Sequence, residues 1–311
     1  MTVALASQTF FLAAICAALM GYAIQRGATC TVAAVGEIVR QGSARKLAAL
    51  AEAALWVAGG LLAARALGLI VTLPGSFAVT GWTVTGGILL GIGAWINRAC
   101  VFGSIAKLGS GNWAYALTPP GFFLGALSLP YFFPNAMPSP ISTGPNLPVW
   151  LAIAFASFAT LRIIGLLRKG RGIGARVWAP HEATVVIGIT FVIMLISVGA
   201  WSYTDLLMRL ARGMADNLDW RLALFGALLT GAILGGRTAG RLSSKRPSVS
   251  AITRCCAGGI LMGWGSALIP GGNDGLILVG MPLLMPHAWV AILAMCGTIW
   301  VALKAELAMR P

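Results

Sequence analysis

Six cysteines occur in the chain, and two of them stand apart from the rest. Cys30 follows Gly27-Ala28-Thr29, and Cys100 follows Asn97-Arg98-Ala99. They fall at the starts of two apolar segments, 27–39 and 100–110, that are too short to cross a bilayer. Such segments beside glycines read as half-helices. A half-helix N-terminus points free N–H groups and the positive end of its dipole at whatever lies ahead, which suits an anion. A thiol is a weak donor and a soft, polarisable contact. An anion that also presents a soft sulfur atom suits both features. The alternative is that a cysteine packs as a small apolar group. That is the reading for Cys16, Cys255, Cys256 and Cys296, which sit inside apolar runs.

Charged residues flank these positions. Arg98, two before Cys100, either draws an anion in or snorkels to the membrane surface. Arg26, four before Cys30, poses the same choice. Gly272, Asn273 and Asp274 begin another short segment, 273–285. Asp274 either pairs with Arg98, carries a proton, or caps the half-helix that follows it. Glu37 and Glu52 read as structural partners of nearby arginines. Other chemistry has little support. His181 and His287 are the only histidines, no Cys-x-x-Cys occurs, and the vicinal Cys255-Cys256 side chains diverge on a helix. Gly170-Arg171-Gly172-Ile173-Gly174 lacks the strand and helix of a nucleotide loop and reads as a basic linker. No bound cofactor and no metal site are implied.

The elements that position these residues follow from composition. Of 311 residues, 58% are hydrophobic and 10% charged, with a mean hydropathy of +0.87. Soluble globular chains run nearer 45–50% apolar and about 25% charged, so a soluble enzyme is excluded, as is a disordered chain. Lys plus Arg is 22 against 8 acidic residues, a formal charge of +14. In so apolar a chain this charge marks a cytoplasmic membrane face rather than nucleic-acid binding. The expected fold is all-α and polytopic in the lipid bilayer. About nine spans are expected, at 10–25, 47–64, 84–98, 113–130, 148–166, 183–201, 222–236, 256–270 and 287–305. Short pieces lie between them at 27–39, 66–80, 100–110, 203–211 and 273–285. Residues 1–9 carry no basic n-region, so no cleavable signal is expected. Trp82, Trp113, Trp150, Trp178 and Trp201 read as an interfacial belt.

Basic residues fix the orientation. Arg40, Arg45 and Lys46, then Arg162, Arg168, Lys169, Arg171 and Arg176, then Arg237, Arg241, Lys245, Arg246 and Arg254, and finally Lys304 and Arg310 fall on one face. The other face holds the charge-free, Pro-rich loop 130–148 and the segment 203–221. There Arg209, Arg212 and Arg221 meet Asp205, Asp216 and Asp219. The positive-inside rule then places the N-terminus in the periplasm and the C-terminus in the cytoplasm.

The chain also matches itself at an offset of 172. Gly86-Gly87-Ile88-Leu89-Leu90-Gly91-Ile92-Gly93 pairs with Gly258-Gly259-Ile260-Leu261-Met262-Gly263-Trp264-Gly265. Gly59-Gly60-Leu61-Leu62 pairs with Gly231-Ala232-Ile233-Leu234, Arg65 with Arg237, and Arg40 with Arg212. The offset pairs Cys30 with Ser202 and Cys100 with Gly272. With nine crossings the copies have opposite orientation, the inverted-repeat plan whose sites lie near the midplane where broken helices meet. The expected division is a first repeat over 1–130, a connection over 131–182 and a second repeat over 183–311.

These segments resemble the YeeE/YedE family of bacterial inner-membrane proteins, the thiosulfate-transporter-like group. The resemblance rests on the Gly86 octet, Arg98-Ala99-Cys100-Val101-Phe102-Gly103, Leu108-Gly109-Ser110-Gly111, Gln25-Arg26-Gly27-Ala28-Thr29-Cys30 and the Gly258 octet. It implies two inverted halves whose half-helices meet at a narrow waist. It also implies passage of thiosulfate along cysteines by transient S–H···S contacts. Cys30 and Cys100 match two of those cysteines, and Gly272 stands where a third is expected, which broadens the expected substrate to small sulfur-containing anions. The resemblance implies a permease rather than an enzyme, with Cys30, Cys100, Arg98, Gly272, Asn273 and Asp274 as the substrate-binding set. Any sulfur-carrier partner is a separate cytoplasmic protein. A membrane-embedded thiol or sulfur-transfer enzyme, and a transporter of another anion or a soft metal ion, are the competing readings.

Overall fold

The computed structural model describes residues 7–69, 73–134, 136, 138–141, 149–169, 178–214, 218–244 and 246–309. Arg171, Arg176, Asp216, Lys245, Arg310, the linker 170–174, about half of the Pro-rich loop and the first six residues lie outside them.

The described residues are mainly helical. The helices are α1 (Gln8–Gly27), α2 (Thr31–Gln41), α3 (Arg45–Ala66), α4 (Gly81–Asn97), α5 (Val101–Gly109), α6 (Thr118–Phe132) and α7 (Val149–Lys169). They continue with α8 (Pro180–Val198), α9 (Tyr203–Ala211), α10 (Leu218–Thr238), α11 (Val249–Leu268), α12 (Asn273–Gly275) and α13 (Pro286–Ala308). A π-helical turn, Leu276–Gly280, extends α12. Two short strands, β1 (Ser76–Phe77) and β2 (Pro140–Ile141), pair antiparallel.

Among the described residues six stretches are long and apolar enough to cross a membrane: Gln8–Gln41, Arg45–Ala66, Gly81–Gly109, Pro180–Val198, Leu218–Thr238 and Pro286–Ala308. A seventh is α11 with its continuation Asn273–Gly280, bent by 52°. This is fewer than the nine expected. Helix α6 has 15 residues, which at about 1.5 Å each fall short of a ~30 Å hydrocarbon core. Helix α7 counts here only over Trp150–Arg162, because several of its other side chains lie outside the described residues. Four of the five expected half-helices form, as α2, α5, α9 and α12. The fifth, 66–80, does not: Pro74 and Gly75 interrupt it, and Ser76–Phe77 become β1.

The helix starts recur 172 residues apart to within four residues, pairing α1 with α8, α2 with α9, α3 with α10, α4 with α11, α5 with α12 and α6 with α13. Packing follows the same exchange. Helix α1 packs on α10, and their counterparts α8 and α3 pack together; α6 on α11 is matched by α13 on α4. The counterparts α4 and α11 run antiparallel: Gly86 meets Gly265 and Gly93 meets Gly258 across their crossing. The two Gly-rich octets therefore pack on each other. Glycine is required at this crossing because a Cβ on Gly93 or Gly258 would stand 2.7 Å from the other's carbonyl oxygen.

Glu52 on α3 is buried and ties three helices together. It accepts from Arg162 Nε of α7 at 2.7 Å and pairs with His181 of α8, while Trp56 Nε1 donates to it at 3.4 Å. Removing one partner of a buried pair leaves the others unpaired. Glu52→Ala is expected to cost about 2 kcal/mol, less than for a fully buried pair because Arg162 and His181 are part-exposed. A lowered melting midpoint in detergent is the check.

Candidate functional site

Each half-helix begins at a residue singled out by the repeat. Cys30 is the N-cap of α2, Cys100 of α5, Ser202 of α9 and Gly272 of α12. The entries to the first two are alike. Ala28 and Arg98 each adopt a left-handed conformation, at φ 47° and 59°, to end the preceding helix, and the chain restarts two residues later.

Cys30 and Cys100 are brought together, both buried. Each thiol takes an N–H from the other's segment: Thr31 N–H donates to Cys100 Sγ at 3.2 Å, and Cys100 N–H donates to Cys30 Sγ at 3.4 Å. Neither cysteine side chain caps its own helix. The first amide of α2 and the N-cap amide of α5 are thus held by sulfur, a weak acceptor. A Cβ on Gly103 would run into Cys30, so this glycine makes room for the thiol.

Repeat-related residues meet at this point. Val101 N–H donates to the side-chain oxygen of its counterpart Asn273 at 3.3 Å. Asn273 Nδ2 donates to Thr31 Oγ1 at 3.4 Å, and the hydroxyl of Tyr203, counterpart of Thr31, donates to the carbonyl of Val101 at 2.9 Å. Asn97 braces the same region, donating to the Ala99 carbonyl at 2.8 Å and to Ser104 Oγ at 2.9 Å.

Asp274 is 1% exposed. Its Oδ1 accepts from the Thr204 hydroxyl, and from Gly275 N–H at 2.9 Å. It is not paired with Arg98, which binds Glu306 at 2.6 Å near the end of α13. Gly272 is tightly enclosed: a Cβ there would lie 2.5 Å from Thr204 Oγ1 and 2.6 Å from Asp274 Oδ1. The space a side chain at 272 would occupy is filled by the Thr204–Asp274 pair.

Two cavities border this cluster. One, of about 380 Å³, is lined by Cys30 together with Arg40, Lys46, Arg98, Lys107 and Glu37. The other, of about 400 Å³, is lined by Ser202, Thr204, Gly272, Asp205, Arg209 and Arg212. The offset relates them: Ala28 and Ala200, Cys30 and Ser202, Arg40 and Arg212 are counterparts, each lining its own cavity. Cys100, Asn273 and Asp274 line neither and lie between. Basic residues exceed acidic ones in both linings, which raises the local concentration of anions.

Of the residues expected from sequence, Cys30, Cys100, Gly272, Asn273 and Asp274 come together, and Arg98 stands at a cavity wall. Arg26 belongs elsewhere, donating to Tyr22 and Thr238 at 2.7 and 2.8 Å. Trp201 is not in an interfacial belt: it is 2% exposed and borders the second cavity. His287 is buried, bonded to Ser76 and to Phe77 N–H. Sequence reasoning missed Thr31, Tyr203 and Thr204. The repeat contained a signal for two of them, since Thr31 and Tyr203 are counterparts one residue beyond the paired N-caps.

A helical bundle of six or seven candidate spans with a polar, broken-helix interior and a cavity at either side has the build of a membrane transporter. The sequence model of the sulphur transport family matches residues 26–301, and the chain belongs to that family. It is also similar to the thiosulfate transporter TsuA of Escherichia coli (strain K12), with 23% identity over 93% of this chain and 92% of that one.

Proposed function

We propose that the protein is an inner-membrane permease that imports a small sulfur-containing anion, most plainly thiosulfate, through the waist at Cys30 and Cys100. The observation that carries this reading is the meeting of those two N-cap thiols, each holding the other segment's amide, between two basic cavities. Family membership and the likeness to a thiosulfate transporter support it. The anion's oxygens take the half-helix N–H groups, and its terminal sulfur meets the soft thiols. Arg98 draws the anion toward the waist from the cavity wall.

In this reading the chain crosses nine times, α6 and α7 included, in two inverted repeats over 1–130 and 183–311. The antiparallel packing of the counterparts α4 and α11 supports the inversion, and the pairing of α6 with the longer α13 supports counting α6. The basic loops put the C-terminus in the cytoplasm, so the Cys30 cavity is the inner one and the Ser202 cavity the outer one. A soluble sulfur carrier receives the anion inside.

The test is uptake of radiolabelled thiosulfate by proteoliposomes. Uptake above empty liposomes, competed by unlabelled thiosulfate and not by sulfate, is expected; uptake equal to empty liposomes contradicts the proposal. The contact between the two thiols also fits a sulfur-transfer role. A stable sulfane adduct on Cys30 or Cys100 in mass spectra after substrate exposure would favour that reading.

A further inference from the structure

We propose that Asp274 is a proton-binding site, loaded from the outer cavity through the hydroxyls of Ser202 and Thr204, and that it couples entry of the anion to entry of a proton. The inference rests on the anion-import reading and adds to it the identity of a co-transported ion.

Three observations carry it. First, Asp274 is 1% exposed, and its Oδ2 has no hydrogen-bond partner within 3.5 Å among the described residues, whereas Oδ1 accepts from both Thr204 and Gly275. Two donors on one oxygen and none on the other is the pattern of a carboxylic acid whose Oδ2 carries the proton. Second, a continuous hydroxyl chain joins it to the outer cavity. Ser202 Oγ lies 3.1 Å from Thr204 Oγ1, Thr204 Oγ1 bonds Asp274, and Ser202 and Thr204 both line that cavity. Hydroxyls donate and accept at once, so they relay protons. Third, Asp274 adjoins the waist through Asn273, which holds Val101 N–H and Thr31. An ionised carboxylate there repels an anion, and a buried ionisable group at membrane depth marks an ion or proton path. A protonated one presents Oδ2–H as a donor.

The other titratable groups around Asp274 are already engaged. On α9, Tyr203 donates to the Val101 carbonyl, and Asp205 pairs with Arg209 at 2.9 Å and with Arg221 at 3.1 Å. At the caps of α5 and α2, Cys100 and Cys30 hold backbone N–H groups. His287, at the start of α13, bonds Ser76 and Phe77. Arg212 lines the outer cavity on the approach.

The step is a proton transfer only. A proton from outer water passes along Ser202 and Thr204 onto Asp274 Oδ1, and a half-turn of the carboxyl about Cβ–Cγ carries the O–H to the unbonded Oδ2 position. The acid donates to the anion as it crosses, and the proton leaves into inner water, so each dianion enters with one positive charge. No bond other than O–H forms or breaks.

The experiment is thiosulfate accumulation in sodium-free proteoliposomes, with the membrane potential clamped at zero and the outside one pH unit more acid. One-proton coupling sets the inside-to-outside thiosulfate ratio at roughly tenfold, and an internal pH dye records acidification when thiosulfate is added. In Asp274→Asn the ratio falls to one whatever the rate. Should that variant fail to assemble, Ser202→Ala lowers the pH-driven gain in initial rate over the undriven rate, and Ser202→Thr restores it. The proposal is overturned if wild type equilibrates to a ratio of one, if Asp274→Asn still accumulates thiosulfate, or if only a sodium gradient drives accumulation. Wild type that equilibrates thiosulfate without accumulating it leaves the permease reading standing, whereas no thiosulfate entry at all overturns both.

Discussion

Replacing Cys100 by alanine is expected to lower thiosulfate uptake at least tenfold, measured as growth or label uptake in cells lacking other importers. Cys100 is fully buried and lines neither cavity, and on the proposed path the anion crosses at this thiol. Alanine removes the soft contact. It also leaves Thr31 N–H, now held by Cys100 Sγ at 3.2 Å, without an acceptor. That buried donor left unmade costs about 1–3 kcal/mol of stability, whereas the loss of uptake comes from the missing soft contact, where each ~1.4 kcal/mol added to the barrier is tenfold in rate. Serine in place of Cys100 keeps an acceptor but not the polarisable sulfur, so partial uptake is expected. Cys30→Ala is expected to do less harm, because Cys30 borders the 380 Å³ cavity and holds one amide at a longer 3.4 Å. Cys296→Ala is expected to leave uptake unchanged. Uptake by Cys100→Ala equal to wild type would remove the thiol from the mechanism.

The second large effect belongs to the fold. Gly93→Val, or its repeat counterpart Gly265→Val, is expected to prevent assembly of the bundle. A Cβ on Gly93 would stand 2.7 Å from the Gly258 carbonyl oxygen and 2.8 Å from Met262 N, and one on Gly265 would stand 2.5 Å from the Gly86 carbonyl oxygen. The nearest atoms are backbone, which cannot swing aside as a side chain can. Overpacking ordinarily costs about 1–3 kcal/mol, and here two helices must separate along their whole crossing. Loss of the monodisperse peak in detergent is the expected result, with Gly297→Val, where a Cβ meets nothing within 4 Å, remaining folded.

Much of the architecture was legible because membrane physics writes it plainly. Apolar runs, basic loops and a repeat at constant offset located the long helices and four of the five half-helices. The cysteine pair was legible for the same reason: the repeat put Cys30 and Cys100 at equivalent breaks. What sequence could not supply was partner choice. Arg98 and Asp274 are opposite charges near two breaks, yet Arg98 pairs with Glu306 and Asp274 with Thr204. Nothing in spacing distinguishes those outcomes. Trp201 looked interfacial because it ends an apolar run, but it turns inward where α8 gives way to α9. The segment 66–80 looked like a half-helix because hydropathy registers its apolar content and not the local break at Pro74-Gly75.

The central claim, that the anion passes between the two cavities along Cys30 and Cys100, is tested most directly by substrate protection of thiols. The reconstituted wild-type protein is labelled with a maleimide, with and without thiosulfate, and the ratio of labelling at Cys30 to that at Cys256 is read by mass spectrometry. Taking the ratio cancels any reagent consumed by thiosulfate. Cys30 borders the 380 Å³ cavity, while Cys256 sits on α11 outside either cavity lining. The account predicts that thiosulfate lowers this ratio several-fold and that sulfate does not. An unchanged ratio at saturating thiosulfate would contradict it.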